Sequence, residues 1–174
     1  MEANIEKLCD FEEERWKTLS ITEKISLLQL VVDIETKALH VPHSVRVTVQ
    51  SLPEAEAGNY SPRTQTITIN INWLNDGWEA CSIILHEIHH AYSHAIVAAL
   101  QKLSVEERQL ACFEAYIRYG NEYSNYSRPT DNAGFYQYYC QAVESDARDF
   151  AAEQLIQYQS AVSKYLTEGE RSYD

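Results

Sequence analysis

The stretch His86-Glu87-Ile88-His89-His90 holds the residues in this sequence best suited to chemistry. On a helix, residues four apart lie on one face, one above the other. His86 and His90 can therefore offer two imidazole nitrogens to one metal ion. The H-E-x-x-H order then sets Glu87 beside that ion, where its carboxylate can take a proton from an attacking water. The expected cofactor is Zn2+, with His86 and His90 as ligands and Glu87 as the catalytic base.

A catalytic zinc takes three protein ligands and keeps a fourth position open. The metzincin pattern would supply a third His at the end of H-E-x-x-H-x-x-G-x-x-H. Here Ser93 and Ile96 stand in the Gly and final His positions. His94, one turn beyond His90, lies about 40° further round the helix and would reach the same ion only under strain. His89 faces away from His90 and is expected at the surface or behind the ligands.

The other source is a carboxylate from a later helix. Within residues 140–151, Glu144 shares one side of the helix with Cys140, Ala147, Ala151, Leu155, Tyr158 and Val162. Asp146, Asp149 and Glu153 fall on or near the opposite side. A carboxylate on an apolar stripe needs a cation. A zinc ion held by His86 and His90 would be that cation, making Glu144 the third ligand. Arg148, four residues on, is the competing partner.

At these motifs the chain resembles the gluzincin metallopeptidases, in which a strand and an H-E-x-x-H helix are followed by a ligand glutamate on a later helix. The nearer likeness is to the ImmA/IrrE-like branch. It is carried by the strand-like Thr66-Ile67-Thr68-Ile69-Asn70 and by Glu144-Ser145-Asp146-Ala147-Arg148-Asp149-Phe150-Ala151, similar to an E-x-x-A-x-x-F-A segment. His89 stands where members often have Gly, and the segment between the motifs is longer here. The resemblance implies a zincin-like α+β fold and a zinc-dependent endopeptidase, in some members one that acts on a repressor protein of a mobile element. It also implies a Tyr or His that stabilises the oxyanion. Tyr119, Tyr123, Tyr126, Tyr136, Tyr138 and Tyr139 are all candidates, and the spacing singles out none.

The elements that must position these residues follow from periodicity. Ser20-Ile21-Thr22-Glu23 is a capping box opening a helix that Pro42 ends. Residues 44–50 alternate Val45, Val47 and Val49 with polar residues, as a half-buried strand does. Residues 51–62 read as a loop. Residues 64–72 alternate again through Ile67, Ile69 and Ile71, so the two strands suggest a small antiparallel or mixed sheet. The strand 64–72 is a candidate edge for holding an extended peptide. Residues 76–100 read as one helix, apolar nearly all round and so buried. Ser104-Val105-Glu106-Glu107 opens a further helix to about residue 119, residues 120–134 read as a loop, and the last helix covers about 135–166.

The 174 residues suit one domain, with a helical segment at 1–43, the sheet and metal helix at 44–100, and a helical part carrying the third ligand at 101–174. The net charge of −12 and the lack of a basic run argue against nucleic acid or an anionic membrane as partner. The expected partner is a protein or peptide substrate. No apolar run reaches the roughly 18–20 residues of a membrane span. Met1 is followed by Glu2, Glu6 and Glu12-Glu13-Glu14, unlike an export signal. Cys9, Cys81, Cys112 and Cys140 lack metal-type spacing and read as reduced thiols. A cytoplasmic protein is expected. Two other functions fit the same residues: a zinc-binding regulatory or interaction protein without turnover, and a peptidase kept latent by its own N-terminal segment docked over the cleft.

Overall fold

Both Ser-x-x-Glu capping boxes form. In the computed structural model, which describes residues 4–126 and 132–171, helix α3 (Ile21–Ala38) starts at Ser20. The Ser20 Oγ accepts from the Glu23 N–H at 3.3 Å, and the Glu23 carboxylate accepts from the Ser20 N–H at 2.8 Å. The helix buries Leu27, Leu28, Val31, Val32 and Glu35. After it His40 takes a left-handed conformation, φ 55°, and turns the chain into Pro42.

Three strands follow, β1 (Arg46–Gln50), β2 (Gly58–Ser61) and β3 (Thr66–Asn70), in the order β1-β3-β2. β1 and β3 pair in parallel, with Val47 opposite Ile67, while β2 pairs antiparallel to β3, with Tyr60 opposite Ile67. The sheet is therefore mixed. The two alternating segments do not run antiparallel to each other, because the connection expected as plain loop contains β2. The chain reverses onto β3 through Gln65, φ 53°, and so resumes the direction of β1. The segment that was a candidate for the edge, β3, is the internal strand, and β2 is an edge. On the far side, Gln29 of α3 covers β1: its Oε1 accepts from the Val47 N–H at 2.9 Å and its Nε2 donates to the Val45 carbonyl at 2.8 Å. Buried Asn70 ties down the loop before β2, its Nδ2 donating to the carbonyls of Leu52, Pro53 and Glu56.

Helix α4 (Gly77–Leu100) is the metal-motif helix, capped by Asp76, whose Oδ1 accepts from the Glu79 N–H at 2.8 Å. Ahead of it come the N-terminal turns α1 (Ile5–Leu8) and α2 (Glu13–Trp16), and Phe11 and Trp16 pack at its first turn. Leu8, Phe11 and Trp16 are fully buried. Trp16 Nε1 donates to the Leu74 carbonyl at 2.9 Å, and the Phe11 ring stacks against both Trp16 and Trp78. A Cβ on Gly77 would lie 2.6 Å from the Phe11 carbonyl oxygen. This contact is about 13 Å along the helix axis from His86, so these residues build core at the start of α4.

The C-terminal half is more broken than its periodicity suggests. The Ser104 box opens only α5 (Val105–Arg108). Leu110 is extended, ψ 134°, a 3-10 turn covers Ala111–Phe113, and α6 (Glu114–Ser124) then runs past Gly120. Of the expected loop 120–134, residues 127–131 lie outside the described residues. The expected last helix is two, α7 (Asn132–Tyr139) and α8 (Ala142–Arg171), separated at Cys140 and Gln141. At the break the Glu122 carboxylate of α6 accepts the N–H groups of Ala142 and Val143 at 3.0 and 2.9 Å, capping α8. α8 then lies across α4, with Ala147, Ala151, Tyr158 and Val162 buried. The described chain is thus α+β, mainly helical, with one small mixed sheet. None of its helices is long and apolar enough to cross a membrane.

The Tyr158 hydroxyl donates to buried Glu35 at 2.7 Å, joining α8 to α3. Burial raises the Glu35 carboxyl above its ordinary value, against the opposing pull of the Tyr158 bond. A raised folded-state pKa contributes stability that is full below the unfolded value and is lost as pH rises through the folded one. Glu35→Gln keeps an acceptor for Tyr158 and removes the charge. Its melting temperature, measured relative to wild type, should therefore climb as pH is taken from about 4 to about 8. Gly77→Ala should cost about 1–3 kcal/mol in chemical denaturation, since backbone blocks the added methyl.

Candidate metal centre

Four residues of α4 make one helical turn between His86 and His90, and their Nε2 atoms come to 3.0 Å. Their rings meet edge to face, with centroids 4.7 Å apart. α8 brings Glu144 to the same point: its Oε2 lies 3.3 Å from His86 Nε2 and its Oε1 3.3 Å from His90 Nε2. These three residues form the group able to hold a metal ion among the described residues. Bonds of about 2.0–2.1 Å at tetrahedral angles set ligand atoms about 3.3 Å apart, and the observed separations agree with that spacing.

Glu144 has no solvent exposure. It lies in the first turn of α8, where the helix N-terminus favours negative charge. The Tyr126 hydroxyl donates to its Oε1. Its Oε2 is buried and makes no hydrogen bond. A buried carboxylate oxygen without a donor is costly unless a cation meets it, and this one lies against the His86 imidazole. Burial works against ionisation of Glu144, but His86, His90 and Tyr126 outweigh it and hold the carboxyl far below the usual range. For His90, burial disfavours the charged ring while Glu144 and Glu87 favour it, and the net shift is upward. The donor set of two imidazoles and one carboxylate suits zinc.

The other expected residues are placed as follows. Arg148, the competing partner for Glu144, turns away. Its Nη2 donates to the Tyr139 carbonyl at 2.6 Å and its guanidinium lies 3.7 Å over the Tyr139 ring. Glu87 is 6% exposed and lies outside the triad. Burial raises its carboxyl, partly offset by His90 and His86. The edge strand β2 passes beside it, since a Cβ on Gly58 would stand 3.6 Å from Glu87 Cγ. His89 is buried among Tyr92, Tyr119 and Phe150 rather than at the surface. Its Nδ1 has no partner, and burial lowers its pKa to about 4, so it is a neutral packing residue at neutral pH.

The tyrosines separate by contact. Tyr123 bonds Ser93 at 2.6 Å and His90 Nδ1 at 3.3 Å. Tyr126 bonds Glu144, and Tyr119 donates to Asp146. Tyr136 is exposed and Tyr139 lies under Arg148. Glu122 was not among the expected residues, although it caps the helix that carries Glu144. Nothing in its local pattern links it to residues twenty positions on.

No protein-family profile, curated protein or solved structure matches the chain.

The triad predicts a single zinc equivalent per chain. Adding zinc should raise the melting temperature, by the equivalent of about 2.7 kcal/mol at a hundredfold excess over the dissociation constant. A chelator should reverse the rise. Glu144→Ala and His86→Ala should abolish it, as read by differential scanning calorimetry and by metal content.

Proposed function

We propose that this protein is a zinc-dependent endopeptidase of the gluzincin type, with His86, His90 and Glu144 as zinc ligands and Glu87 as general base. One observation carries the reading. The described residues offer a metal three ligands, two imidazoles and one carboxylate, while a second carboxylate, Glu87, stays beside them, buried and outside the ligand set. A purely structural zinc site closes with a fourth protein ligand and has no use for an idle buried carboxylate.

When bound, zinc would acidify a coordinated water and polarise the scissile carbonyl. The remaining work belongs to the chain. Glu87, raised by burial, accepts the proton of the attacking water on a carboxylate oxygen. It then returns that proton to the leaving amine nitrogen. His86 and His90 present their Nε2 lone pairs. Glu144 supplies a negative charge at the junction of α4 and α8, kept ionised by the groups around it.

The edge strand β2 fits the substrate side of this reading. An extended peptide added to it would lie along the flank of α4 where Gly58 meets Ile83 and Glu87. This role passes from the strand 64–72 to β2, since β3 already pairs on both sides. The class of substrate is accordingly a protein segment in extended form.

Glu87→Gln should retain zinc and the wild-type melting temperature and lose about 10²–10⁴-fold in hydrolysis of a mixed peptide library followed by mass spectrometry. Unchanged cleavage by Glu87→Gln, or a zinc-loaded wild type that cuts nothing, would sink the peptidase reading.

A further inference from the structure

The last turn of α6 and the residues just after it touch both halves of the triad, and they do so through hydroxyls. His90 turns its Nε2 toward His86 and Glu144. Its other ring nitrogen, Nδ1, lies 3.3 Å from the Tyr123 hydroxyl. That hydroxyl lies 2.6 Å from Ser93 Oγ, and Ser93 Oγ donates to the His90 carbonyl at 3.1 Å. One assignment of protons satisfies every group. His90 Nδ1–H donates to Tyr123, Tyr123 donates to Ser93, and Ser93 donates to the backbone of His90 itself. This closed loop fixes the Nδ1–H tautomer and leaves the Nε2 lone pair free for a metal. His94 stacks on the Tyr123 ring at 3.8 Å and 17°, which holds the phenol in register.

Three residues on, Tyr126 does the matching work for the carboxylate. It donates to Glu144 Oε1 and so leaves Oε2 as the oxygen without a hydrogen bond. One residue before Tyr123, Glu122 caps the first turn of α8 and sets where Glu144 emerges. The Tyr123 and Tyr126 rings stack at 6.4 Å, so the two contacts form one unit.

We infer that Tyr123 and Tyr126 are positioning residues of the metal centre, selecting the tautomer of His90 and the coordinating oxygen of Glu144 respectively. The inference rests on reading the triad as a zinc site. It goes further in assigning outer hydrogen bonds of that site to two neutral phenols three residues apart, at the end of α6 and just beyond it. A carboxylate behind a ligand histidine raises its basicity; a phenol leaves the ligand less electron-rich and the ion correspondingly more acidic.

The test measures zinc affinity by competition with a chromophoric chelator, for wild type, Tyr123→Phe, Tyr126→Phe, Tyr136→Phe and His86→Ala. Tyr123→Phe and Tyr126→Phe should each bind zinc about 10–100-fold more weakly. Tyr136→Phe, altered at an exposed ring, should match wild type. A second readout is the nitrogen-edited NMR spectrum of zinc-loaded protein. The His90 Nδ1 proton should be slow to exchange in wild type and in Tyr126→Phe, and fast in Tyr123→Phe, a pattern that general loss of stability would not produce. Zinc bound by wild type and equally well by both tyrosine variants would overturn the inference while leaving the triad intact. Zinc bound no better by wild type than by His86→Ala would overturn the metal reading itself, and this inference with it.

Discussion

A carboxylate with no solvent exposure, set where two helices cross, has to be met by donors or by a cation. Glu144 is that group, and much of the fold is arranged around meeting it. Helix α4 has to run at the depth that brings His86 and His90 to its oxygens. α8 must break from α7 two residues ahead so that Glu144 falls in a first turn. α6 must end where Tyr126 can reach Oε1 and Glu122 can cap the new helix. The desolvation of one side chain thus constrains three helices at once. Taking away one partner would leave an uncompensated buried charge, a far larger loss than that of an exposed ion pair.

The surroundings of α4 divide by chemistry along its length. Its first turn meets aromatic core, with Phe11, Trp16 and Trp78 stacked around Gly77. Its middle meets the titratable cluster. The flank between them faces the edge strand of the sheet. Apolar burial at one end anchors the helix, and the polar centre is met from α6 and the residues after it, α8 and β2. That separation lets a helix which is hydrophobic nearly all round carry two histidines and a glutamate without losing its hold on the core.

The features legible in the sequence were those set by short-range periodicity. Both capping boxes, the Asp76 cap and the continuity of α4 follow from residues three or four apart. So does the choice of Glu144 over Asp146, Asp149 and Glu153, because burial of one helix side is a local pattern. What was not legible depended on distant pairing. Gly58-Asn59-Tyr60-Ser61 has little strand character, and becomes strand only because β3 offers it a partner; that pairing in turn makes β1 and β3 parallel. The start of α8 is likewise capped by Glu122, twenty residues earlier in the chain. The tyrosines gave no local signal that would divide them, since a phenol suits a core, a surface and a ligand shell equally.

α8 is fixed at two points, Glu144 at the triad and Tyr158 at Glu35. They stand about 21 Å apart on one rod. The second point closes a loop of 123 residues out of 174, and loops of that kind form late because their entropy must be lost before the contact is gained. A chain still emerging from synthesis would hold its two histidines on a formed helix long before Glu144 arrived. Completion of the triad would therefore coincide with the docking of α8.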